Sequence, residues 1–237
     1  MQRLLFLVNL LFIISSHCFS QTSDNAELKP LYEQDQNDRR GRITDWLLLS
    51  RNDSIRRSRV YQLIDEQKVI TGKDNFHTAM IFQHGHDSIA YRMAIKHMKR
   101  AIELDSTINR WLLAAAIDRE LMSRHRPQIY GTQYIKMNQP GSLWERYRMD
   151  TTKVTDEERR YYHVETLAGQ REKVRRMNLK TIDEYYNVNH DLNKLTRFIR
   201  TENEKGIHSE YDVSENGIND FGYELMQTHP KDALKIF

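Results

Sequence analysis

Three polar clusters interrupt otherwise apolar stretches of this 237-residue chain: Gln83-His84-Gly85-His86-Asp87, Asp118-Arg119, and Pro127-Gln128-Ile129-Tyr130-Gly131-Thr132-Gln133. Their residue types suit acid–base chemistry. A carboxylate beside an imidazole holds one ring tautomer, which a general base needs. Asp118 lies within Trp111–Met122, a run apolar on nearly every side, and an isolated carboxylate buried there is too costly to stand unpaired. Arg119 projects about 100° away on a helix, so the expected partner of Asp118 is remote: His84, Arg39 or Gln133. His84 and Asp118 are therefore the candidate catalytic residues. Gln83, Arg119, Gln128, Tyr130, Thr132 and Gln133 are the candidate binding residues, with Tyr130 and Gln133 able to orient a substrate or stabilise developing negative charge. The competing reading is a fully satisfied polar network that fixes a helical core and the loop over it.

Other chemistry finds less support. His77, His84, His86 and Asp87 offer imidazole and carboxylate, but their spacing is not that of a His-Glu-x-x-His helix, and no metal site is assigned. No Gly-x-Ser-x-Gly, phosphate-cradling loop or dinucleotide fingerprint is present, and no cofactor is expected. Lys and Arg number 36 against 33 acids, too balanced for a nucleic-acid footprint. The charge is unevenly placed: residues 24–38 carry five acids and only Lys29, whereas residues 39–59 carry seven arginines against Asp45 and Asp53. Such blocks pair internally along solvated helices or, as the alternative, meet an anionic ligand.

The segments DQNDR at 35–39, IFQHG at 81–85, DRELM at 118–122 and PQIYGTQY at 127–134, followed by DEERR at 156–160, resemble an uncharacterised bacterial domain of unknown function. The resemblance spans roughly residues 31–178, with Gln-x-Tyr-Gly-Thr-Gln its most specific block. It implies a fold and a candidate polar site, and it brings no reaction.

The elements that must position these residues are mostly helical. Nine glycines and four prolines are about half the usual share, too few for the turns of an all-β fold. A first helix is expected around Leu31, a second from Thr44 to Leu49, and a third capped by Asp53 that carries Val60, Leu63 and Ile64. Beyond a turn at Gly72–Asn75 another helix covers His77–Gln83. Asp87 caps a helix with Ala90, Met93, Ala94, His97, Ala101 and Ile102 on one face, and Asp105-Ser106 separates it from Trp111–Met122. This pair looks like a tetratricopeptide-type helical hairpin, and residues 215–237 look like the opening of another. Residues 126–150 form a long irregular insert or a β-hairpin across Asn138–Gly141. Thr155 and Thr181 open capping boxes, the second starting a helix with Ile182, Tyr185, Leu192, Leu195 and Ile199 that Gly206 stops.

The expected organisation is a signal peptide over 1–20, a polar linker over 21–40, a helical domain over 41–180 and a helical tail over 181–237. Arg3, the apolar run Leu4–Ile14 and the small residues Cys18 and Ser20 have signal-peptide anatomy. That run is too short for a membrane span, so no membrane insertion is expected after cleavage. Cys18 is the only cysteine, and a chain cut after Ser20 would have no disulfide or thiolate chemistry. The expectation is a mainly α, periplasmic or secreted binding or scaffold module whose helical hairpins offer a groove to a protein or peptide partner. The alternative is a hydrolase-like enzyme centred on His84, Asp118 and the Gln128–Gln133 loop.

Overall fold

The computed structural model describes residues 23–41 and 43–234. The expected signal peptide and Cys18 lie outside them. The fold is mainly α, with eleven α-helices among the described residues and one small hairpin. The helices are α1 (Leu28–Asn37), α2 (Trp46–Asp65), α3 (Gly72–Gln83), α4 (Ser88–Leu104), α5 (Trp111–Ser123), α6 (Asp156–Tyr161), α7 (Leu167–Met177), α8 (Ile182–Asn189), α9 (Leu192–Lys205), α10 (Glu215–Thr228) and α11 (Pro230–Ala233). No helix among the described residues is long and apolar enough to cross a membrane.

Local chemistry explains the boundaries. Thr71 and Asp87 cap α3 and α4 by accepting the backbone N–H of Asp74 and Ala90, which satisfies donors a helix start leaves orphaned. The turn expected at Gly72–Asn75 is thus the first turn of α3. Asp53 does not cap a helix either. It is buried inside a continuous α2, which starts at the true cap, Asp45. Arginine partners, described below, remove the need for a break there.

Leu28, Val60, Leu63, Ile81, Phe82, Ala90, Ala94 and Ala116 form the first core cluster, drawing on α1 to α5. Helix α1 falls within the span expected as a polar linker, yet its Leu28 and Asp35 are fully buried. His97 is buried against this core, stacked on Phe82, with Nδ1 2.9 Å from Asn75 Oδ1. A second cluster of Ala79, Met98, Leu112 and Leu113 binds α3, α4 and α5 together.

The insert is a hairpin, shorter than its sequence suggested. Antiparallel β1 (Tyr134–Lys136) and β2 (Trp144–Arg146) pair Tyr134 with Arg146 and Lys136 with Trp144. Outside the strands, backbone bonds still join Gln128 to Arg148 and Asp150 and Gln133 to Tyr147, while side chains hold residues 129–132 between them.

The C-terminal cluster is separate: Ile182, Tyr186, Leu195, Phe221, Leu225 and Ala233. The single helix expected from Thr181 is broken in two, because His190 adopts a left-handed backbone (φ 45°) and Asp191 caps α9. The expected apolar residues still all belong to this cluster.

Candidate functional site

Asp118 is fully buried, as its run predicts, but its partner is the loop it faces. Oδ1 accepts from the backbone N–H of Ile129 and Tyr130 at 2.9 and 3.0 Å. Oδ2 accepts from the N–H of Gly131 and Thr132, both at 2.9 Å, and from the Thr132 hydroxyl at 2.8 Å. Neither His84, Arg39 nor Gln133 touches it through a side chain. An ionised carboxylate is acceptor-only, and here both oxygens are saturated by the protein itself. Asp118 is therefore a loop organiser, with no lone pair left for a reacting proton.

The rest of the loop is closed in the same way. Gln128 is fully buried, donates Nε2 to the carbonyls of Gln133 and Tyr147, and accepts the Gln133 N–H. The Tyr130 hydroxyl donates to Glu158 Oε1 at 2.9 Å, and burial first, then Glu158, pushes its pKa far up. The Tyr130 carbonyl accepts from buried Gln170 and Arg159. Gly131 sits at φ +91°, and a Cβ there would lie 2.1 Å from Gln170 Oε1, so no side chain fits.

A different constellation gathers around His84. His84 is the C-cap residue of α3, and its ring Nδ1 lies 2.8 and 3.0 Å from the two carboxylate oxygens of Asp35 on α1. Asp35 also accepts from Arg39 Nη1 and Gln36 Nε2. Arg39 Nη2 reaches Asp53 at 2.6 Å, and Arg56 joins Asp53 to Asp38 at 2.6 and 2.7 Å. Burial pulls the Arg56 pKa down, but its hydrogen bonds to Asp53 and Asp38 outweigh this and hold it above the ordinary value. The arginine-rich stretch thus pairs internally at Arg39 and Arg56, through aspartates on both α1 and α2. Gly85 makes the next turn: a Cβ there would fall 2.2 Å from Ala90 Cβ, so only glycine lets α4 start this close behind His84.

Arg119 is half-buried and has no share in these ion pairs. Its Nη1 donates to the Gln83 carbonyl at 2.8 Å and its Nε to Gln133 Oε1 at 3.1 Å. Both are neutral acceptors, and no carboxylate pairs with it among the described residues. Desolvation lowers its pKa, with the charge of Arg39 acting in the same direction. Among the described residues Nη2 has no hydrogen-bond partner, and Arg119 lines the cavity described next.

Arg119, Arg39, His84, His86, Tyr91 and Trp46 line one cavity of about 370 Å³, together with residues of α2. His84, whose side chain is part-exposed, has no hydrogen-bond partner for Nε2 among the described residues. Trp46 stands at its edge, 68% exposed. Of the residues predicted from sequence, the structure brings His84 and Arg119 to this cavity and links Gln83 and Gln133 to it through Arg119. Asp118, Gln128, Tyr130 and Thr132 belong to the loop network. Among the described residues no group of three His, Cys, Asp or Glu side chains is arranged to hold a metal.

Sequence reasoning missed Asp35, Arg39 as its partner, and Tyr91 and Trp46 as lining. The Asp35–Arg39 pair had a signal, an i, i+4 acid–base pair on one helix face, hidden by assigning residues 21–40 to a linker. No family model, curated protein or solved structure matches the chain.

Proposed function

We propose that the protein binds a small carboxylate in this cavity, with Arg119 meeting its charge. The observation that carries this reading is Arg119 itself: a partly buried guanidinium that lines the cavity and has neither an acidic partner nor an acceptor for Nη2 among the described residues. A desolvated cation without a counter-charge is costly, and a ligand anion supplies the missing charge. Titration with acetate, propionate and butyrate, followed by the NMR amide shifts of Gly85 and His86, tests this. Saturable shifts are expected, absent in Arg119→Gln with an unchanged melting temperature. Equal binding by Arg119→Gln, or no saturable shift in the wild type, would overturn it.

A second reading rests on the Asp35–His84 contact. Asp35 fixes the ring with Nδ1 inward, leaving Nε2 to exchange a proton with a bound molecule or water, as general acid–base catalysis requires. Here Asp35 takes the role first given to Asp118. Turnover of a carboxylate-bearing ester that is lost in His84→Asn, while acetate still binds, would support it. An unchanged rate in that variant would remove it.

The resemblance to a bacterial domain of unknown function, the periplasmic or secreted location and a peptide or protein partner enter here as proposals. A peptide's C-terminal carboxylate belongs to the ligand class that Arg119 favours.

A further inference from the structure

Arg119 and His84 meet the cavity with groups of different kind, each held from behind by the protein, and together they specify more than an anion. Arg119 Nη2 is a charged donor. His84 Nε2 belongs to a ring whose orientation is fixed from behind, since both Asp35 oxygens lie within 3.0 Å of Nδ1. Asp35 is in turn held by Arg39 and Gln36, so the carboxylate that orients the ring is itself fixed.

A second ligand carboxylate would suit Nε2 only when the ring is protonated, and a ligand ammonium only when it is not. A hydroxyl both donates and accepts, so it meets Nε2 in either state. Ile43, Leu49, Trp46 and Tyr91 give the cavity apolar and aromatic wall beside its polar Ser50 and His86 and the paired Arg39 and Asp53. They favour a short carbon skeleton between the two polar groups.

We propose that the ligand is a short hydroxycarboxylate, its carboxylate on Arg119 and its hydroxyl on His84. This rests on the carboxylate reading above and adds the hydroxyl to it. Asp35 is the positioning residue and His84 the one that discriminates.

The test compares each simple acid with its hydroxylated counterpart on the full protein: acetate with glycolate, propionate with β-hydroxypropionate, and butyrate with γ-hydroxybutyrate. The series varies the span between the two groups. At least one hydroxy acid is expected to bind about fivefold more tightly than its parent, the worth of one ordinary hydrogen bond. His84→Asn places an amide where Nδ1 was and keeps a donor for Asp35. It should erase that gain, so that each hydroxy acid binds no more tightly than its parent. His84→Gln places its amide where Nε2 was and should retain part of the gain. A merely structural histidine would not produce this split.

The proposal falls if no hydroxy acid in the series outbinds its parent, or if His84→Asn keeps the full preference. Should the parent acids themselves fail to bind, the carboxylate reading has failed and the hydroxyl reading with it. Parent acids that bind without any hydroxyl preference overturn only the present inference.

Discussion

Asp118 and Arg119 are adjacent in sequence and opposite in circumstance. The carboxylate points into the 129–132 loop and receives five hydrogen bonds, four of them from consecutive backbone N–H groups. The guanidinium points toward the cavity, receives two neutral acceptors, and has none for Nη2 among the described residues. Both charges were withdrawn from water, but only one was compensated. A satisfied buried charge organises structure, whereas an unsatisfied one beside a cavity is a binding determinant. Burial alone does not separate the two cases. The list of partners does.

That contrast can be broken by substitution. Asp118→Asn turns one of the two acceptor oxygens into a donor facing two of the four N–H groups, and should cost roughly 3–5 kcal/mol in urea unfolding. A loss under about 1 kcal/mol would mean the loop holds itself. His97 sharpens the contrast with a third buried polar side chain, one outside both networks. Desolvation lowers its pKa to about 4 from 6.5. The unfolded chain therefore binds a proton there at a pH where the folded one does not. Its contribution is fully present above pH 6.5 and falls away as pH drops toward about 4, by on the order of 3 kcal/mol. Stability measured from pH 7.5 to 4 should show this slope, and His97→Leu should flatten it. Gly131→Ala attacks the loop from its other side, forcing a Cβ into Gln170 at φ +91°, and should cost about 2 kcal/mol. The smallest effect belongs to Arg119→Gln. Removing an unpaired cation should change stability by no more than about 0.5 kcal/mol while abolishing carboxylate binding. A large loss would place Arg119 with the structural residues and dissolve the contrast.

Sequence patterning made the helices legible where the apolar period was unbroken. The α4 face and its Asp87 cap stand where the three- and four-residue spacing put them, because burial and capping are local rules. The need of Asp118 for a partner was equally visible, since it follows from desolvation alone. The partner was not. Four backbone N–H groups carry no side-chain signature, and a sequence shows side chains only. The Asp35–His84 contact joins residues 49 apart, a distance no helical period encodes. Asp53 misled for a related reason: an aspartate in a helical run looks like a cap until Arg39 and Arg56 are known to reach it.

The division of the interior has a consequence for how the chain is made. Every buried member of the first core cluster precedes Ile117, whereas the C-terminal cluster draws its buried members from residues 182–233. Synthesis runs from the N-terminus and domains tend to fold as they emerge. The helices that build the cavity can therefore bury their apolar faces while the last third of the protein is still inside the ribosome. That last third assembles from contacts close in sequence, which are quick to form, and it need not wait for the first core to rearrange.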